Sequence, residues 1–354
     1  MKTHHRSFVN LVICASAINI MSCHNARLDR IGTVGGDSTF SAPSNKVVNS
    51  SETVAAGNKE VDFLLVLDDS NSMMPELKKL SARLTTFVSF LEASQIDWQM
   101  CVTTTRASNF GKYLNWKNYS PAAGTPKYLL KKGSAGLPGI FTSTINSITI
   151  GGGESGDERA IKAAYVSFEN AGPCYRPGAA ISVIAISDED ERSVGGDKSL
   201  LKHNDAPGSY QALEKEDIPS NLLLQAQDSF GKSVRFTFNS IIVKPGDIAC
   251  EKKQDADTSP SHPGKVYAAM SALTDGGIGS ICDTDYSANL NTFKDKIVNS
   301  LRQLTLQCEP VEHTLKVVVD HQVTTDYQLD RNILRFNTDL IEGTQIDLTY
   351  DCVE

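Results

Sequence analysis

Val61-Asp62-Phe63-Leu64-Leu65-Val66-Leu67-Asp68-Asp69-Ser70-Asn71-Ser72 is the stretch from which the fold follows. Val61 to Leu67 is almost continuously apolar, the pattern of a strand buried on both faces, as in a parallel sheet covered by helices. The run stops at a carboxylate, and hydroxyls follow at alternate positions on a polar turn. Leu77, Leu80, Leu84, Phe87 and Leu91 then fall at helical spacing across residues 73–93. A buried strand that ends in a polar turn and runs into a helix opens a βαβ unit, and open α/β sheets bind ligands at such turns.

The same rhythm continues downstream. Residues 96–105 read as a second strand, 126–132 as a short edge strand and 138–147 as a helical piece leading to Gly151-Gly152-Gly153. A helix over 157–170 precedes another buried strand, Ala180 to Ser187; helix 218–230, strand 233–243, helix 264–274, short strand 278–281 and a closing helix 287–307 follow. This alternation predicts an α/β fold: a doubly wound, mostly parallel six-stranded sheet with helices on both faces. Beyond Cys308 the helices stop, and Thr314–Asp320, Ile333–Phe336 and Gln345–Tyr350 read as short β runs. The expected organisation is therefore an α/β domain over 59–308 and a small β module over 309–354. Residues 23–58, rich in Gly, Ser, Thr, Asn and Pro without an apolar period, read as a flexible tether. The loops 106–125, 189–216 and 244–263 are long, which is often functional. Tyr113, Trp116 and Tyr119 in the first are either aromatic anchors for a partner or packed back on their own domain.

Composition bounds the function. The chain has 354 residues, 34 Lys and Arg against 42 Asp and Glu, a formal charge of -8 and 40% hydrophobic residues. That is globular composition, and its acidic balance argues against a nucleic-acid partner. Lys2 and Arg6, an apolar stretch from Phe8 to Met21 and the small Ser22 read as a secretory leader over 1–22. The stretch is too short for a bilayer and is interrupted by Asn10 and Asn19. Ile20-Met21-Ser22-Cys23 resembles the bacterial lipobox. That resemblance implies lipidation of Cys23, membrane attachment through acyl chains and a place in the cell envelope. His24, where an aspartate would retain the protein elsewhere, implies the outer membrane. Removing the leader takes Cys14 and two positive charges with it. Six cysteines remain, and an even number in an exported chain predicts disulfides. Cys250 and Cys282 both follow strands at one rim. Cys308 and Cys352 end the last helix and the β module, so their bond would staple the two units. Cys101 and Cys174 are then left as a pair.

The chemistry centres on Asp68, Ser70 and Ser72, whose carboxylate and hydroxyls present hard oxygens to a hard cation. Ser187-Asp188 ends the strand 180–187 and should face the same sheet edge; Gly153-Glu154-Ser155-Gly156, before a helix, should reach the same rim. Together these segments resemble the metal-ion-dependent adhesion site of a von Willebrand factor type A domain, over roughly residues 59–307. The flanks Val183 to Glu191 and Gly276 to Asp283 are similar to the variant found in bacterial lipoproteins. The resemblance implies Mg²⁺ (or Mn²⁺) held by Asp68, Ser70 and Ser72, with Asp188 acting through water, and a protein ligand that offers an acidic side chain. Family members add a threonine from the Gly-rich loop. Here Ser155 would supply that hydroxyl, or Glu154 an internal carboxylate competing with an external one. Asp69 and Asn71 should point away as turn residues, and the rest of the run Asp188 to Glu191 should be solvated loop. There is no H-E-x-x-H, no G-x-S-x-G and no histidine near the motif; His203 and His262 read as solvated loop histidines. The expectation is a non-enzymatic envelope binding module. A metal-free envelope scaffold is the alternative, and a metal-dependent hydrolase is least favoured.

Overall fold

The computed structural model describes residues 45–53, 60–94, 96–148, 157–205, 210–232, 234–257, 260–338, 340–341 and 343–353. The expected leader, Cys23 with its expected lipidation, and residues 149–156 with Glu154 and Ser155 lie outside the described residues. In chain order the elements are β1 (Asn45–Thr53), β2 (Glu60–Leu67), α1 (Met74–Ala93), β3 (Asp97–Thr104), β4 (Leu130–Lys131), α2 (Leu137–Ile148), α3 (Ala160–Glu169), β5 (Ala180–Ile186), α4 (Pro219–Phe230) and β6 (Phe236–Ile242). There follow α5 (Ile248–Asp257), α6 (Lys265–Leu273), β7 (Ile278–Ser280), α7 (Ser287–Ser300), β8 (Gln303–Thr305), β9 (Lys316–Val319), β10 (Gln322–Val323), β11 (Tyr327–Asp330), β12 (Ile333–Phe336) and β13 (Gln345–Val353).

The main sheet has the order β4-β3-β2-β5-β6-β7. Every pair in it is parallel except β3 with the edge strand β4. This is the doubly wound α/β sheet that the alternation predicts. The continuous apolar run of β2 is explained by its two faces. Val61, Phe63, Leu65 and Leu67 pack with residues of α1, α2 and α7, while Leu64 and Val66 pack with α3, α4 and α6. All are at most 1% exposed, and each such side chain contributes about 1.5–3 kcal/mol of burial. The chain winds from β2 to β3 and β4 on one side, and from β5 to β6 and β7 on the other. The winding therefore reverses between β2 and β5, and a crevice opens there at the carboxyl ends of the strands.

Asp62 breaks the apolar run of β2 and is fully buried. Arg176 holds it: its backbone N–H donates to Oδ2, and its Nε donates to Oδ1 at 2.8 Å. Nη1 of the same arginine also reaches Glu60 at 3.1 Å and Asp97 at 2.8 Å. Burial outweighs this pairing and pushes the Asp62 carboxyl up to about 6.

Three expectations are corrected, and the alternative left open for the aromatic loop is settled. Residues 45–53 are not tether: β1 pairs antiparallel with β13 over its whole length, from Asn45 opposite Val353 to Thr53 opposite Gln345. An edge strand with one wet face needs few apolar residues, and here Val48 supplies the buried contact. The region 244–263 contains α5, a polar helix anchored by the Cys250–Cys282 bond and by the buried Gln254. The closing helix stops at Ser300; the chain then extends as β8, which pairs with β12. Tyr113, Trp116 and Tyr119 pack inward: Trp116 is 2% exposed, lies 4.8 Å from the Phe141 ring and donates from Nε1 to Tyr128 O at 3.0 Å.

The C-terminal strands form two small sheets, β1-β13-β9-β10 and β11-β12-β8, around a core of Val48, Leu304, Val317, Leu334, Ile346 and Tyr350. The cysteines pair as 101–174, 250–282 and 308–352, with Cα separations of 5.9, 5.5 and 5.9 Å. Because β8 already belongs to the small sheets, Cys308–Cys352 closes the β module internally and does not staple two units.

Two measurements check this account. Val48→Asp puts a carboxylate into the module core and should cost about 3 kcal/mol, seen as faster amide exchange along β13; unchanged exchange would make β1 an accessory. For Asp62, the native state keeps a proton that the unfolded chain has lost. Stability from this group is full below about pH 4 and is lost as pH rises through about 6. Asp62→Asn should therefore flatten the fall in melting temperature between those two values.

Candidate metal centre

The crevice between β2 and β5 is where the polar turn lands. Asp68 N donates to Ile186 O at 3.0 Å, extending the ladder by one residue and carrying the aspartate below the surface. Its Oδ1 accepts from Ser70 N at 2.8 Å, an Asx-type turn. Its Oδ2 accepts from Ser187 Oγ at 2.7 Å. Ser70 Oγ and Ser72 Oγ lie 2.8 Å apart, and Ser72 Oγ donates to Asp188 Oδ1 at 3.1 Å. Asp68, Ser70, Ser72 and Asp188, predicted from three separate positions on the turn and a fourth 116 residues from Ser72, thus form one connected set. Asp69 turns aside to Arg106, and Asn71 is exposed. Ser155 and Glu154 lie outside the described residues.

The electrostatics of this set are one-sided. Asp68 and Asp188 are both 0% exposed. Burial raises the carboxyls of both, Asp188 well above the usual range, and Asp68 pushes Asp188 further. Glu158 sits at 1% exposure, raised well above its usual range by burial, then by Glu189 and Asp68. Glu189 is pushed to about 8, chiefly by burial. Asp188 Oδ2 and Glu158 Oε1 are buried without a hydrogen-bond partner. Glu158 Oε2 accepts from Ser193 Oγ at 2.8 Å. Among the described residues no three His, Cys, Asp or Glu side chains converge as a metal cage. The donors are instead two carboxylates and two hydroxyls. Buried like charges and an unpartnered carboxylate oxygen fit a hard divalent cation, which favours the ionised form that burial disfavours.

The remainder of the acidic run is not solvated loop, as its composition implied. Asp190 and Glu191 are 0% exposed. Asp190 accepts from Val266 N at 3.0 and 3.1 Å and from Tyr267 N at 3.4 Å, capping the start of α6. Glu191 accepts from Ile161 N at 2.9 Å and Lys162 N at 3.0 Å, capping α3. Helix N-termini leave backbone donors unpaired, so buried carboxylates find partners there. Gly195, at φ +64°, passes so close to the Asp190 carboxylate that a Cβ would collide with it. His262 is likewise buried, with Nε2 at 3.1 Å from Asp205 Oδ1, while its backbone N–H donates to Asp188 O at 3.0 Å. Sequence reasoning missed Glu158 and Glu189 as neighbours of the centre. The signal for Glu158 was its place directly after the Gly-rich loop, at the entry to a helix.

No family model matches the chain, and no curated protein sequence matches it. Solved structures similar to it include the pilus adhesin SpaC of Lactobacillus rhamnosus GG in its open conformation (12% identity, TM-score 0.32, 87% of this chain and 41% of that one). Proximal thread matrix protein 1 of the mussel byssus is another (12% identity, TM-score 0.38, 73% of this chain and 51% of that one). The human COPII-coat protein Sec24c is a third (10% identity, TM-score 0.38, 86% and 42%). The chain spans about half or less of the length of these proteins.

The two kinds of buried carboxylate should respond oppositely to substitution. In chelator-treated protein, Asp188→Asn relieves the repulsion with Asp68 and should raise the melting temperature. Glu191→Ala strands two buried N–H groups and should cost about 2–4 kcal/mol. Denaturant titration reads both; a loss of stability in Asp188→Asn would argue that this carboxylate is structural.

Proposed function

We propose that the chain is a von Willebrand factor type A binding module that holds a partner protein through a divalent cation, Mg²⁺ or Mn²⁺. The observation that carries this reading is the connected set Asp68-Ser70-Ser72-Asp188 at the point where the sheet's winding reverses, with both carboxylates fully buried. Asp68, Ser70 and Ser72 would hold the cation, Asp188 would contribute through its link to Ser72, and Ser155 or Glu154 would complete the set from the Gly-rich loop. When bound, the cation supplies an electrophilic point for an acidic side chain of the partner. The chain's own residues fix that point: the Asp68 bonds to Ser70 N and Ser187 Oγ lock its carboxylate before any partner arrives.

Location enters the same proposal. Three disulfides are characteristic of an oxidising compartment. Among the described residues no helix is long and apolar enough to cross a membrane. The disulfides, with the lipobox-like Ile20 to Cys23, support an exported protein anchored by lipid at Cys23 in the bacterial cell envelope, at the outer membrane. The proposed role is binding, without catalysis.

Calorimetric titration of the chelator-treated protein tests the centre. Wild type should give saturable heat with Mg²⁺ or Mn²⁺, and Asp68→Ala should give none while keeping its circular dichroism. Absence of saturable heat from wild type would return the protein to the metal-free scaffold reading.

A further inference from the structure

Next to the metal turn, toward β3, lies a concavity of about 390 Å³. Asp69, the residue after Asp68, forms one wall, and Arg106, Asn109, Leu114 and Lys117 line it from the loop that follows β3. Ile148, at the end of α2, adds an apolar surface. In a chain of formal charge -8, beside a group of buried carboxylates, the described lining of this concavity carries two cationic side chains against one anionic one. Its arginine is oriented in advance. Nε and Nη2 of Arg106 each lie 2.8 Å from Asp69 Oδ2, and the side chain is 24% exposed. A guanidinium has five N–H donors in a planar fork suited to carboxylates, and Asp69 occupies one edge of it. Lys117 is exposed, and its backbone is fixed by a 2.8 Å bond from its N–H to Thr144 Oγ1.

We propose that this concavity is a second carboxylate subsite, so that the partner segment carries two acidic groups: one for the cation and one for Arg106 and Lys117. The proposal rests on the metal-dependent reading above and names the ligand class of that surface. It explains how a rim rich in acid can select an acidic segment. The cation offsets the buried negative charge at one end, and the Arg106–Lys117 pair attracts at the other.

The test uses the full chain with Mg²⁺ and fluorescent, end-capped, glycine-rich hexapeptides. One set carries a single aspartate; the other carries two, separated by one, two or three glycines. Anisotropy should show the best two-aspartate peptide binding about tenfold tighter than the single-aspartate peptide at low salt, with the advantage shrinking as salt rises. In Arg106→Gln, and separately in the exposed Lys117→Gln, the advantage should fall toward about onefold. Equal Mg²⁺-dependent binding of both peptide classes to wild type would overturn the subsite and leave the metal-dependent reading standing. A two-aspartate preference that persists in both variants would place the second carboxylate elsewhere and overturn it as well. No Mg²⁺-dependent binding of either class would overturn both readings together.

Discussion

The parallel pairing of β2 with β5, and the 3.0 Å bond from Asp68 N to Ile186 O that extends it, is the constraint on which the rest of the site depends. Neighbouring strands that wind away from each other leave their carboxyl ends uncovered by a crossover. Because the ladder continues one residue past Leu67, Asp68 lies beside Ser187 and beneath the surface. Its carboxylate is then held by donors from both strands' ends. Shift the register by one residue and β2 would turn its apolar faces over, taking Asp68 away from the crevice.

Burial of so much negative charge divides the carboxylates by the partners they find. Asp190 and Glu191 meet the unpaired backbone donors at the starts of α6 and α3, which offset part of the burial that still raises both carboxyls. Asp188 and Glu158 each keep an oxygen with no such donor, and both face the repulsion of Asp68. A helix terminus offers a carboxylate donors that are always present; a cation would offset it only when bound. The first kind builds the loop around the centre, and the second is the kind that the proposed cation would balance.

The β module shows a different economy. Its core is small, and it recruits β1 from nearly 300 residues away along the chain and closes itself with Cys308–Cys352. Small cores commonly need such covalent or added-strand support. The Cys250–Cys282 bond plays a comparable part for α5, whose sequence offers little apolar surface of its own.

Much of the fold was legible because β2, β5 and β6 are buried on both faces and their helices keep a clear apolar period. The turn Asp68 to Ser72 and the partner Asp188 were legible for a related reason: they sit at the carboxyl ends of strands that the apolar runs mark out. β1 was not legible, since one buried valine among Asn, Ser and Thr carries no periodic signal. Nor was α5, a polar helix defined by a disulfide and by Gln254 reaching Glu76. The run from Asp188 to Glu191 is the sharpest case. Sequence alone determined that four acids follow a buried strand. Only the tertiary structure decided that Asp188 joins the Asp68–Ser72 turn while Asp190 and Glu191 cap helices, because the backbone donors that stabilise a buried carboxylate come from segments remote in sequence.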